Sequence, residues 1–160
     1  MKTRFVTLED LDAVTAVEAA CFPKAEAAKR EEMEQRILTY PSHFWLLEED
    51  GNLIGFINGM ATDSRTISDE MFEHASLHRE NGAYQAVFGL DVLPEYRKRG
   101  CAAQLMMALI QDAKEHGRKG CILTCKERLL HYYNKFGYQN LGISASVHGG
   151  AIWYDMVLEF

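Results

Sequence analysis

Apolar residues recur at helical spacing in some stretches of the chain and alternate, or run unbroken, in others. "TRFVTL" opens as a short strand, and Thr7 follows as a helix N-cap with Asp10 three residues on. Leu11, Val14 and Val17 then mark one face of a first helix. A second helix is expected over "KAEAAKREEMEQRILTY", which is rich in strong helix formers and stops before Pro41. "HFWLLEEDGNLIGFINGMA" reads as a hairpin turning at Asp50-Gly51-Asn52, where glycine supplies a positive φ. A short helix over "ISDEMFEHASLH" follows the loop "TDSRT".

"AYQAVFGLDV" is the third strong strand signal: Tyr84, Ala86, Phe88, Leu90 and Val92 alternate onto one face, with Gly89 as a candidate bulge. A helix follows, with Ala102, Leu105, Met106, Leu109, Ile110 and Ala113 on one stripe, and stops at Gly117. "KGCILTC" reads as a short buried strand and "ERLLHYYNKFG" as a helix ending at Gly137. "YQNLGISASV" and "AIWYDMVLEF" are final strands joined through Gly149-Gly150. This order predicts a mixed α/β sheet with helices on both faces, and the absence of repeats or linkers predicts one domain over residues 1–160.

Charge narrows the partners. Seventeen basic and 23 acidic side chains leave a net charge of −6, against the basic face expected of a duplex nucleic-acid binder. The same balance suits a site that admits small cationic amines. Cys21, Cys101, Cys121 and Cys125 show no paired C-x-x-C spacing, so neither a structural metal nor a disulfide scaffold is expected. Free thiols, an N-terminus without an apolar leader and no membrane-length run set the expectation of a soluble, cytoplasmic protein.

The clearest chemical signal is "RKRGCA", a basic triplet that meets Gly100 as an apolar-periodic helix begins. A strand-to-helix loop presents backbone N–H groups with no intrahelical partner, at the positive end of the helix dipole. Gly100 and the small side chains of Cys101 and Ala102 let an anion approach the backbone, and Arg97, Lys98 and Arg99 add charge. The segment has neither a Walker pattern nor the three-glycine dinucleotide fingerprint. On its own it reads equally as a basic surface turn.

Context identifies it. "LDVLPEYRKRGCA", then a strand "CILTC" and "HYYNKFGY", resembles the acetyl-CoA motif and the Tyr-x-x-x-Gly-[Phe/Tyr] element of the GCN5-related N-acetyltransferase superfamily. "LHRENGAYQAVFGLDV" with "CKERLLHYYNKFGY" is similar to its arylalkylamine (serotonin-type) branch. The resemblance implies an acyl-CoA N-acyltransferase fold: a central, mostly antiparallel sheet with a splayed strand pair and flanking helices. It also implies acetyl-CoA as cosubstrate and a small primary amine as acceptor.

Carried over residue by residue, the resemblance places the pantetheine arm against the main chain of Leu90, Asp91 and Val92. The pyrophosphate falls on the loop from Arg97 through Lys98, Arg99, Gly100, Cys101, Ala102 and Ala103. Tyr133 matches the general acid, and Asn134 and Lys135 match positions near the arm. A thiol near ~8.5 and a phenol near ~10 make proton donation to the leaving thiolate feasible. Tyr132, about 100° away around a helix, cannot share that role. The first two helices and their loop would build the acceptor pocket around Cys21, Phe22, Pro23 and Glu26, with Trp45 or Phe56 as aromatic walls.

One departure matters. The arylalkylamine branch carries two relay histidines on the central strand, where this chain has Ala86 and Phe88. The general base is therefore open between Tyr84, His78, Glu26 and an ordered water. Two other readings stay open with it: a peptide or protein N-acetyltransferase, and a CoA-binding module without turnover. The alternating terminal strand could also pair with a second copy as a homodimer.

Overall fold

The computed structural model of the protein describes residues 1–160. In chain order the elements are β1 (Lys2–Phe5), α1 (Leu11–Cys21), α2 (Arg30–Thr39), β2 (Phe44–Glu49), β3 (Asn52–Asn58), β4 (Ala61–Thr62) and α3 (Asp69–Glu73). They continue with β5 (Tyr84–Val87), β6 (Gly89–Val92), α4 (Cys101–Glu115), β7 (Gly120–Cys125), α5 (Leu130–Asn134), β8 (Gln139–Ile143) and β9 (Tyr154–Glu159). Strands β1-β2-β3-β6 form an antiparallel sheet of four; β4-β5-β7-β9-β8 form a sheet of five in which β5 and β7 run parallel. The fold class is the mixed α/β sheet expected. No helix is long and apolar enough to cross a membrane.

The unbroken apolar run of β2 has a direct cause. Phe44 and Leu46 pack with Val14 and Val17 of α1 and Met33 and Ile37 of α2. Trp45 and Leu47 face the other way, against Leu105, Met106 and Leu109 of α4. A strand buried on both faces needs apolar side chains at every position, and each one fully buried contributes about 2 kcal/mol. The hairpin turns where expected, with Asp50 at φ 52° and Gly51 at φ 79°. Trp45 and Phe56 are core residues rather than pocket walls, one under α4 and the other under α1 and α2.

Three elements are shorter than their sequence patterns. The second helix starts at Arg30, not Lys24, because residues 23–28 are held as a turn. The amides of Glu26 and Ala27 both donate to Pro23 O at 2.9 Å, and that of Ala28 donates to Glu18 Oε2 at 2.8 Å. The Lys29 amide then caps on Glu32 Oε1 at 2.8 Å. "ISDEMFEHASLH" gives only α3 and a 3-10 turn, and "ERLLHYYNKFG" a 3-10 turn over Glu127–Leu129 followed by α5.

The strand expected over 84–92 is broken at Phe88, and the break decides the rest. Tyr84 and Ala86 pack into a cluster with Met71 of α3, and Phe88 leans on the same cluster. Val87 faces α4, but so do Leu90 and Val92. The parity of the strand therefore shifts by one between residues 87 and 90, as a bulge does, and the single face expected for 84 to 92 is split. Asp91 consequently turns toward α1. The break also divides the sheets: β5 pairs with β7 from Tyr84↔Gly120 to Val87↔Leu123, whereas β6 pairs only with β3. Past Val87 and Leu123, β6 and β7 diverge, leaving one edge of β6 without a strand partner.

Candidate functional site

The wedge between β6 and β7 opens into a cavity of about 190 Å³. Leu90 and Gly89 line it from β6, Leu123, Thr124 and Cys125 from β7, and Tyr133 from α5. The end of α1 and the turn after it supply Glu18, Cys21, Phe22 and Glu26; Phe72, His148 and Trp153 close it opposite. The walls are largely aromatic. Phe72 packs on Phe88 with ring centroids 4.9 Å apart and stacks on His148 at 5.0 Å.

The mouth is fastened by polar contacts. Lys126 Nζ lies 2.8 Å from Glu26 Oε2 and 5.7 Å from the Trp153 ring centre. His148 donates from Nε2 to Glu26 O at 2.8 Å, and Trp153 Nε1 donates to His148 O at 2.8 Å.

Tyr133 sits with its ring edge-on to Tyr132 and Tyr138, centroids 5.2 Å and 6.1 Å away. Burial pushes its phenol well above the usual value, and the neighbouring Cys125, Tyr132 and Asp91 act in the same direction. It therefore holds its proton until a stronger base forms beside it. Cys125 is no such base: burial pushes its thiol up to about 11, and its Sγ rests 3.6 Å from Met156 Sδ.

At the far end of β6 the loop forms the turn anticipated. Lys98 has φ 63° and Gly100 φ 78°, both left-handed, and Gly100 caps α4. The Arg97 amide donates to Pro94 O at 3.2 Å, and the next with a main-chain acceptor is Gln104, which donates to Gly100 O at 3.0 Å. The amides of residues 98–103 thus stand free at the N-terminus of a 15-residue helix. Arg97 turns back, its Nε donating to Val92 O at 3.0 Å, and the Arg99 guanidinium lies 5.4 Å from the Tyr96 ring centre. Cys21 Sγ shares Val92 O at 3.4 Å, so that carbonyl is already engaged. Asn134 Nδ2 donates to Tyr138 O at 3.2 Å, and Lys135 caps α5 in the open.

The candidates of the sequence divide cleanly. Tyr133, Leu90, Phe22 and Glu26 meet in the cavity. Tyr84 does not: its hydroxyl donates to Glu159 Oε2 at 3.1 Å. Nor does His78, whose Nδ1 accepts from the Ala61 amide at 3.0 Å and whose Nε2 meets Glu80 Oε1 at 3.0 Å.

His78 belongs to a second polar group, in which donor atoms of His43, His78 and Glu80 lie within 4.8 Å of one another. Its hydrogen-bond pattern is not that of a ligand set. Since His78 Nδ1 accepts a hydrogen bond, its Nε2 carries the ring proton and offers no lone pair. Arg118 Nη2 also approaches Glu80 Oε2 to 3.6 Å.

Glu18 escaped the sequence reading, although a signal was there. It falls seven residues after Leu11, on the buried stripe of α1, and is only 5% exposed. Phe72, His148 and Trp153 left no comparable signal, because the short helix α3 and the connection between β8 and β9 bring them to the cavity from distant parts of the chain.

An antiparallel sheet, splayed from a second sheet and followed by a free-amide helix start, is an acyl-CoA transferase type of architecture. The family model for the acetyltransferase (GNAT) family matches residues 11–138, and the chain belongs to that family. It is 26% identical over 109 residues to serotonin N-acetyltransferase of Mesocricetus auratus, a match covering 68% of this chain. The match takes in 51% of that relative, about half its length. Among solved structures, a GNAT-like decarboxylase, GphF, in complex with isobutyryl-CoA superposes with TM-score 0.86 at 21% identity, covering 99% of each chain. The PaiA N-acetyltransferase of Thermoplasma acidophilum in complex with coenzyme A superposes with TM-score 0.73 at 17% identity, over 99% of this chain and 98% of the other.

Proposed function

We propose that this chain is an acetyl-CoA-dependent N-acetyltransferase that acetylates a small primary amine by direct attack within a ternary complex. The observation that carries the reading is the wedge: an unpaired edge of β6 running from a free-amide helix start to a cavity lined by Tyr133. The amides from Lys98 to Ala103 would take the pyrophosphate, and the free edge of Leu90 to Val92 the pantetheine arm. The Val92 carbonyl, held by Arg97 and Cys21, would contribute least. Asn134 and Lys135 flank the arm.

Tyr133 would give its proton to the departing thiolate, a stronger base than the ground-state thioester sulfur. Phe22, Phe72 and Trp153 suit an acceptor with an apolar or aromatic body. The kinship with a serotonin N-acetyltransferase supports the same class. Tyr84 has no part in this site. A covalent acetyl-enzyme is disfavoured, since the cavity thiol of Cys125 lies far toward its neutral form.

The test follows acceptor-dependent release of CoA from acetyl-CoA across arylalkylamines, polyamines, amino acids and short peptides. Turnover with amines and its collapse in Tyr133→Phe support the proposal. Turnover with peptides alone replaces the acceptor class. Because GphF is a decarboxylase, a 2-carboxyacyl-CoA belongs in the same panel: carbon dioxide release without any acceptor would overturn the transferase reading.

A further inference from the structure

Four charged or polar side chains with unpartnered atoms meet behind the cavity, and the mechanism above uses none of them. Glu18 on α1 lines the cavity and is 5% exposed; Asp91 on β6 is fully buried. Glu18 Oε1, both carboxyl oxygens of Asp91, Asn58 Nδ2 and Arg36 Nε are buried without a hydrogen-bond partner. They converge at Gly89. A Cβ built there would lie 3.0 Å from Asp91 Oδ1, 3.4 Å from Asn58 Nδ2 and 3.5 Å from Glu18 Oε1. Gly89 and Glu18 both line the cavity, so the carboxyls lie directly behind its wall.

The charges facing this point come from four elements. Glu18 and Cys21 lie on α1, Arg36 on α2, Asn58 on β3 and Asp91 on β6. Arg36 is tied to Asn58 Oδ1 at 3.2 Å and Phe72 O at 3.0 Å, which leaves one fixed positive charge for two carboxyls. Burial, with Glu18 beside it, raises Asp91 well above the carboxylate range. Glu18 receives the Ala28 amide on Oε2 at 2.8 Å, which fixes its carboxyl in place beside Asp91.

Resting on the N-acetyltransferase reading, we infer that Glu18 is the proton acceptor for the incoming amine, with Asp91 as its positioning partner. The acceptor arrives as an ammonium ion and gives one proton to the Glu18 carboxylate, which returns it to water through the mouth. The freed lone pair forms the C–N bond at the thioester carbonyl. The tetrahedral intermediate collapses, the C–S bond breaks, and the sulfur takes the Tyr133 proton. The second proton of the acylated nitrogen restores the Tyr133 hydroxyl. The sum is ammonium plus acetyl-CoA to amide, CoA thiol and one released proton. The assignment fills the place left by Ala86 and Phe88, and it puts acid and base on the lining of one cavity, from α5 and α1.

Two isosteric substitutions separate the roles. Glu18→Gln should lower kcat/KM for an ordinary alkylamine by about 10²-fold or more. Acetyl-CoA affinity should stay unchanged, and most activity should survive toward weakly basic amines that are already neutral at the assay pH. Asp91→Asn, which removes the ionisable neighbour of Glu18 at nearly constant shape, should move the pH profile of kcat/KM while acetyl-CoA affinity holds. Wild-type activity in Glu18→Gln, equal losses toward both kinds of amine, or a pH profile unmoved in Asp91→Asn would overturn the assignment. Should no amine be turned over, the transferase reading fails first, and infrared spectroscopy still decides the pair. A protonated-carboxyl C=O band persisting at neutral pH and missing from Asp91→Asn supports it; absence of that band from the wild type sinks it.

Discussion

Two buried polar clusters flank β5 and β6, and they are built on opposite terms. In the His43–His78–Gln85 cluster every side-chain nitrogen and oxygen of those three residues has a partner. His43 Nδ1 meets Gln85 Oε1 at 2.7 Å, its Nε2 meets Glu80 at 3.0 Å, and Gln85 Nε2 donates to the carbonyls of Gly59, Met60 and Ala86. In the Glu18–Asp91–Asn58 cluster four side-chain atoms have none beyond a proton that Glu18 and Asp91 can share. The first cluster ties loops to strands; the second borders the cavity. A buried polar group left without a partner carries a desolvation penalty of about 1–3 kcal/mol, so the second arrangement makes sense where a ligand supplies what is missing.

The largest effect should fall on the cavity side. Tyr133→Phe removes only a hydroxyl and should lower kcat by about 10²–10⁴-fold, with acetyl-CoA affinity and melting temperature nearly unchanged. On the other side the same kind of change should act on stability alone. Gln85→Leu removes the side-chain partner of His43 Nδ1 and of the Gly59 and Ala86 carbonyls, while Met60 O keeps the Ala86 amide, and it should destabilise the fold by about 3 kcal/mol in urea titration. Its CoA binding should be intact. Full activity in Tyr133→Phe, or a loss of turnover without a loss of stability in Gln85→Leu, would erase the contrast.

Sequence exposed these two clusters unequally. The loop 97–103 and Tyr133 were legible because their chemistry lies in contiguous motifs whose spacing is set by one strand-helix junction. The break at Phe88 was half legible: Gly89 marked a bulge, but the pattern could not show the change of parity, since apolar residues stand on both sides of it. That shift is what sends Asp91 toward Glu18. His78 and Tyr84 looked eligible as bases because sequence lists side chains without directions, whereas hydrogen bonds to Ala61 and Glu159 turn both elsewhere. The cavity's outer wall, from Phe72 to Trp153, is assembled from helix α3 and the connection between β8 and β9, and had no local signal.

The clusters should also differ in the sign of their pH dependence. Burial lowers His78 below the ordinary imidazole range. It then binds its proton less readily folded than unfolded, so its contribution is present above about 6.5 and lost as pH falls. Asp91 is raised, so its contribution is present below about 3.9 and lost as pH climbs through the folded value. Melting curves from pH 4 to 8 should show His78→Asn flattening the acid side, since its Oδ1 can still accept the Ala61 amide. Asp91→Asn should flatten the opposite trend and raise the melting temperature at neutral pH. Parallel slopes in the two variants would remove the distinction between a closed network and a poised pair.

The smallest effect tests whether satisfaction or location decides. Glu26 and Lys126 stand at the cavity mouth yet are fully paired, with side chains 9% and 29% exposed. If location alone made a residue catalytic, Lys126→Met should damage kcat as Glu18→Gln does. If unpartnered atoms are the mark, the pair only fastens the mouth, and breaking this largely buried ion pair should lower stability by about 1–3 kcal/mol with kcat unchanged. The freed Glu26 carboxylate would then attract cationic acceptors, lowering KM for diamines severalfold at low ionic strength while kcat holds. Added salt should erase that gain, because the attraction is screened over about 8 Å at physiological ionic strength. A fall in kcat at unchanged KM would instead move Lys126 into the chemistry, and the rule drawn from the two buried clusters would not extend to the rim.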